Sequence, residues 1–137
     1  MLIGVRRRGA EAEQVTKIKE ISGQNIDLCM QCGLCSGTCP MFATGALSDP
    51  PRRIMHLLQL ARVERVDQAT TPWCCAACHA CEALCPRGLD IPRVMEAIRQ
   101  LTLRRNVDRL HPSTIPAAVL RTAPPIALVA AFRKLTP

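Results

Sequence analysis

Nine cysteines dominate this 137-residue chain, and eight of them fall into two runs of identical spacing. The first run is Cys29-x2-Cys32-x2-Cys35-x3-Cys39-Pro40, and the second is Cys75-x2-Cys78-x2-Cys81-x3-Cys85-Pro86. A fourfold thiolate run closed by proline is the ligand pattern of a bacterial-type pair of [4Fe–4S] clusters. A cubane cluster needs four thiolates converging on it. One tight loop supplies three when two residues separate successive sulfurs. The fourth cannot come from that loop without strain, because the chain must by then leave the cluster. In two-cluster proteins the fourth cysteine of each run therefore serves the other cluster. Cys29, Cys32 and Cys35 then share one cluster with Cys85, and Cys75, Cys78 and Cys81 share the other with Cys39. The proline after each fourth ligand removes an N–H and fixes φ, which stops local structure from continuing. The chemistry is one-electron transfer, and the cross-ligation staples the two halves of the chain together.

The elements that must hold these loops are helical. Residues 10–21 have helical composition, with Val15, Ile18 and Ile21 on one face, and Ser22-Gly23 as the stop. Ahead of them, residues 1–9 read as a solvated terminus or, through Arg6-Arg7-Arg8, as a basic docking arm. Gly33 and Gly37 permit the close backbone approach a cluster loop requires, and equally ordinary turns. Asp49-Pro50-Pro51 looks like a helix start with Asp or Ser as cap. Ile54, Leu57, Leu58 and Ala61 then form an apolar stripe continuing to about Val66. Arg52, Arg53, Arg62 and Arg65 take the outer side of this helix, as a solvated face or a docking surface, and His56 is exposed or structural. Thr70-Thr71-Pro72 breaks the helix before the second run. Trp73 either shields a cluster or anchors the core, Cys74 is a spare buried thiol, and His79 either donates to a ligand sulfur or faces water. Asp90 caps a further helix with Pro92 in its first turn. Val94, Ile98 and Leu101 form its buried face, and Arg104, Arg105 and Arg109 lie where cations complement the helix dipole.

Composition bounds the rest. Aromatic content is 2%, namely Phe42, Trp73 and Phe132, so large side chains for a core are scarce and clusters substitute for part of it. The odd cysteine count and the absence of an apolar leader argue against a disulfide framework and for a reducing, cytoplasmic setting. The formal charge is +7. Each cluster with four thiolates carries about −2, so two bring +7 to roughly +3, and the basicity does not require nucleic acid. No aromatic stacking platform is present either. Zinc favours four ligands in two separated pairs, which two fourfold runs suit poorly. No phosphate loop, dinucleotide fingerprint or nucleophile–base pair occurs, so this is a relay rather than an independent catalyst. The expected organisation is an arm and helix over 1–22, a two-cluster domain over 23–110, and a proline-rich apolar tail over 111–137. The apolar stretch 123–132 is too short for a transmembrane segment, and wrapping a partner is the expected role of the tail.

Beyond spacing, the stretch Ser22-Gly23-Gln24-Asn25-Ile26 leading into Cys29-Met-Gln-Cys-Gly-Leu-Cys35 resembles the C subunits of heterodisulfide reductases. So do Pro51-Arg52-Arg53-Ile54 and Trp73 through Cys85-Pro86-Arg87-Gly88. The resemblance covers about residues 20–100 and fills all eight ligand positions. It implies an all-α ferredoxin fold with two [4Fe–4S] clusters. It also implies an electron carrier placed between two other proteins of the complex. One is the flavin-containing A-type flavoprotein, and the other is the catalytic B-type protein that handles a disulfide or a sulfur intermediate. The competing assignment is the iron–sulfur subunit of a membrane-associated, quinone-linked complex. Succinate dehydrogenase and fumarate reductase subunits add a plant-type cysteine domain that is missing here, and glycolate-oxidase-like chains a long cysteine-rich region.

Overall fold

The computed structural model describes residues 2–105 and 111–132, with side chains from Gly9 onward apart from Pro112. All regular structure among them is helical. The chain forms two units, 1–105 and 106–137.

In the first unit, α1 (Leu2–Ser22) is followed by a 3-10 turn (Ile26–Leu28), α2 (Leu34–Gly37) and α3 (Pro40–Ala43). Then come α4 (Pro51–Gln59), α5 (Val63–Gln68), α6 (Thr71–Cys74), α7 (Ala80–Ala83) and α8 (Ile91–Leu103). The longer helices make the core: α1 packs on α8, α4 on α5 and the 3-10 turn, and α8 also on α6 and α7. Ile18, Ile26, Ile54, Met55, Leu58, Val94 and Met95 are almost fully buried there. Four-residue helices cannot stand alone, since one turn fixes several dihedrals for a single hydrogen bond. Thus α2, α3, α6 and α7 depend on what the longer helices and the cysteines hold.

Several expected boundaries are met for the expected reason. Gly23 takes the left-handed conformation (φ +65°) directly after α1. Asp90 caps α8 by accepting the Arg93 N–H at 3.0 Å, with Pro92 in the first turn. Val94 and Ile98 are buried, and Leu101 packs partly against them. Arg52, Arg53, Arg62, Arg65 and His56 are exposed.

Three boundaries differ. Helix α1 begins at Leu2, so most of the expected arm is helical. The apolar stripe 49–66 is two helices rather than one. Ala61 adopts φ +52°, its N–H bonds to the Leu58 carbonyl at 3.0 Å, and the Arg62 N–H reaches back to Leu57 at 2.8 Å. This is a Schellman termination with alanine where glycine is usual, a conformation costing roughly 1–2 kcal/mol, and periodicity alone does not reveal it. Pro50, not Asp49, is the cap residue of α4. Asp49 pairs with Arg53 at 2.7 Å, while its backbone N–H and carbonyl bond the Thr71 hydroxyl at 3.2 and 2.6 Å. Ser48 and Thr70 exchange two further bonds of 3.0 Å. These pairs fasten the segment leaving the first cysteine run to the segment entering the second.

The second unit holds a 3-10 turn (Pro112–Thr114), α9 (Ala117–Thr122) and α10 (Pro125–Phe132). Ile126 on α10 is 73% exposed. No helix among the described residues is long and apolar enough to cross a membrane. Arg109 and residues 133–137 of the tail lie outside the described residues.

Candidate metal centre

The two cysteine runs fold alike. In the first, Gln31 (φ +58°) and Gly33 (φ +88°) flank Cys32 in left-handed conformations; in the second, Ala77 (φ +50°) and His79 (φ +59°) flank Cys78 in the same register. Each loop thus turns twice around its second cysteine, and Cys35 and Cys81 follow as the second residues of α2 and α7. Left-handed backbone at Gln31, Ala77 and His79 is strain of the kind that persists at functional sites when the surroundings over-determine it.

The loops bound two cavities. One, of about 350 Å³ counted to its open mouth, is lined by Cys29, Cys32, Cys35 and Cys85, together with Met30, Gln31, Arg52 and Arg87. The other, of about 420 Å³, is lined by Cys39, Cys75, Cys78 and Cys81, with Met41, Leu47, Thr71 and Met95 among its remaining walls. Each cavity gathers three cysteines of one run and the fourth cysteine of the other. Ile91, the first residue of α8, lines both.

Side chains from the longer helices clasp the loops at matching points. From the end of α4, Gln59 donates to the carbonyls of Ile26 at 3.2 Å and Cys29 at 2.9 Å. From α8, Arg99 donates to the carbonyls of Pro72 and Cys75, the latter at 2.6 Å, and pairs with Glu96 at 3.2 Å. The first cysteine of each run is therefore anchored through its backbone. Gln24 adds a tie between the halves, its side-chain oxygen accepting the Asp90 N–H at 3.0 Å.

Burial pushes the Cys35 thiol upward, against the Ser36 hydroxyl, and Cys29 and Cys32 add to the rise. Burial likewise pushes Cys81 up to about 12, with Cys75 and, from the other run, Cys35 contributing. Sulfurs crowded together away from water resist ionising, because burial and neighbouring thiolates both disfavour the charged form. A metal core supplies the balancing positive charge, and ligation deprotonates thiols outright. Four convergent thiols per cavity, in apolar walls, suit a four-thiolate iron–sulfur group.

Other candidate residues fall elsewhere. Trp73 lines neither cavity and is 47% exposed, so it is neither shield nor core anchor; its α6 neighbours Thr71 and Pro72 take the buried side instead. Cys74 is half-buried and outside both cavities. His79 is exposed, with Nδ1 2.6 Å from a Glu82 carboxylate oxygen rather than on a sulfur. Gly33 lies against the Arg52 side chain, where a Cβ would come within 3.8 Å of Arg52 Cδ. Gln31, Gln59 and Arg99 carry no spacing signal. Superposing the two runs by register does single out Gln31, as the polar counterpart of Ala77.

Residues 25–89 match the family model described as the 4Fe-4S dicluster domain. Among curated proteins, the chain is 38% identical over 84 residues to a protein of Archaeoglobus profundus described as like the C subunit of heterodisulfide reductase, covering 61% of this chain and 44% of that one. It is 32% identical over 98 residues to the C subunit of the H(2):CoB-CoM heterodisulfide,ferredoxin reductase of Methanothermobacter marburgensis, covering 69% and 50%. Against the C subunit of the ferredoxin:CoB-CoM heterodisulfide reductase of Methanosarcina mazei, identity is 28% over 109 residues, covering 80% and 66%. The chain spans 44% and 50% of the length of the first two.

Proposed function

We propose that this chain, a two-[4Fe–4S] relative of the heterodisulfide reductase C subunits, is the one-electron relay of a heterodisulfide-reductase-type complex. In this reading Cys29, Cys32, Cys35 and Cys85 hold one cluster, and Cys75, Cys78, Cys81 and Cys39 hold the other. Its partners are an A-like flavoprotein on one side and a B-like catalytic protein that handles a disulfide or sulfur intermediate on the other. Eight cysteines kept as cluster ligands rather than disulfides belong to a reducing compartment, the cytoplasm. The supporting observation is the composition of the two cavities: three sulfurs from one run and one from the other in each, with Ile91 as the shared wall.

When bound, each cluster supplies reversible transfer of single electrons, and the protein supplies position and surroundings. Gln59 and Arg99 hold the backbones of Cys29 and Cys75 still. Leu47, Met95 and Ile91, all buried, supply apolar wall beside the sulfurs of the second cavity. Adjacent cavities shorten the path an electron must cross. The mouths remain open at Cys32 and Cys78, both exposed, where partner proteins can approach.

An anaerobic pull-down through this chain tests the reading. The expected result is co-purification of a flavoprotein and a second cysteine-rich protein, with about eight irons and as many sulfides on this chain. A complex containing a quinone-reactive membrane protein and no disulfide-handling partner would contradict it.

A further inference from the structure

The two cavities share a backbone plan but not a polarity. In the first, the Gln31 side-chain amide lies 3.4 Å from Cys29 Sγ and 2.9 Å from the Gln59 side-chain oxygen. Which end of Gln31 faces the sulfur is fixed by the network. Gln59 spends its NH2 on two backbone carbonyls, so its oxygen must face Gln31. Gln31 therefore presents NH2 there, with one hydrogen for Gln59 and one for the Cys29 sulfur. Arg52 and Arg87 line the same cavity, and neither is in an ion pair among the described residues.

The second cavity has none of this. Ala77 replaces Gln31 in register. No charged side chain lines it, and its one hydroxyl, on Thr71, is already committed to Asp49. Arg99 reaches Cys75 only at its carbonyl and is paired with Glu96.

Adding an electron makes an iron–sulfur group more negative by one charge, with no bond or proton changing hands. Hydrogen bonds to ligand sulfur and nearby cations stabilise that state and raise the potential. We propose that Gln31 makes the two sites unequal: the site of Cys29, Cys32, Cys35 and Cys85 has the higher reduction potential, and the protein holds its first electron there. Arg52 and Arg87 are exposed, so salt screens their share, whereas the Gln31 bond is unaffected. The inference rests on the ligand assignment above. It adds a polarity to the relay, with the Gln31 side as the resting place of a single electron.

The test is an anaerobic potentiometric titration of the iron-loaded full chain, followed by electron paramagnetic resonance, with iron and sulfide counted on each sample. Gln31→Gly removes the donor and suits the left-handed backbone at that position; Gln31→Ala repeats the test with the residue of the other loop. Cys32→Ser, which alters one site only, identifies which spectral species belongs to the Gln31 side. Wild-type protein should show two midpoints, the higher on the species that Cys32→Ser alters. Both Gln31 variants should move that midpoint alone to more negative potential, by about 59 mV if the bond is worth a tenfold change in the one-electron equilibrium. Full iron loading with equal midpoints, with no shift, or with both midpoints shifting together would overturn the inference. Wild-type protein lacking iron would overturn the cluster assignment instead.

Discussion

Removing iron and sulfide by anaerobic chelation should leave the 1–105 unit without a cooperative thermal transition and with much of its helical circular dichroism lost. The reason lies in how the unit is built. Its aliphatic core joins α1, α4, α5 and α8, while α2, α3, α6 and α7 are four-residue turns around the cysteines. Such turns have no stability of their own. Without metal, burial keeps Cys35 and Cys81 as neutral thiols that no longer tie the two cysteine runs to each other. Structural metal sites contribute on the order of 10 kcal/mol each, against a total stability of roughly 5–15 kcal/mol for a small domain. Two such losses exceed that margin. A chelated protein with an unchanged far-ultraviolet spectrum and a sharp melt would show instead that the aliphatic core suffices.

Arg99→Met should damage one site and spare the other. The guanidinium satisfies the Pro72 and Cys75 carbonyls and is mostly buried, and methionine fills the space without donating. Two carbonyls left unsatisfied cost about 2–6 kcal/mol together. That cost falls on the loop carrying Cys75, Cys78 and Cys81. The purified variant should hold about half the iron and keep the spectral species of the Cys29 loop. Gln59→Leu is the mirror experiment, loosening Cys29 through the same kind of bond. Equal loss from both sites in Arg99→Met would mean that the clasp serves the whole fold rather than its own loop.

What the sequence makes legible is what short-range chemistry determines. The cysteine spacing is of this kind, because thiolate geometry around a cubane leaves few alternatives. So are the glycine stop at Gly23 and the Asp90 cap with Pro92 behind it, each of which satisfies a helix end locally. Features set by distant partners are not legible. Ala61 ends a helix in a conformation its side chain disfavours because Val63 and Val66 of α5 must turn back into the core. Trp73 faces outward because Thr71, its neighbour, is tied to Asp49 from across the unit. Gln59 and Arg99 lie 30 and 24 residues from the cysteines they hold, beyond any motif window. The tail is apolar in sequence, and its α10 presents Ile126 and Val129 to solvent.

The cross-pairing of the two runs is the central claim, and single serine substitutions in the iron-loaded chain test it most directly. If Cys85 serves the site of the first run, Cys85→Ser alters the same spectral species as Cys32→Ser and leaves the other untouched. Cys39→Ser then alters the species that Cys78→Ser alters. The opposite pattern, with Cys85→Ser following Cys78→Ser and Cys39→Ser following Cys32→Ser, would mean that each run closes on its own cluster, and would contradict the account.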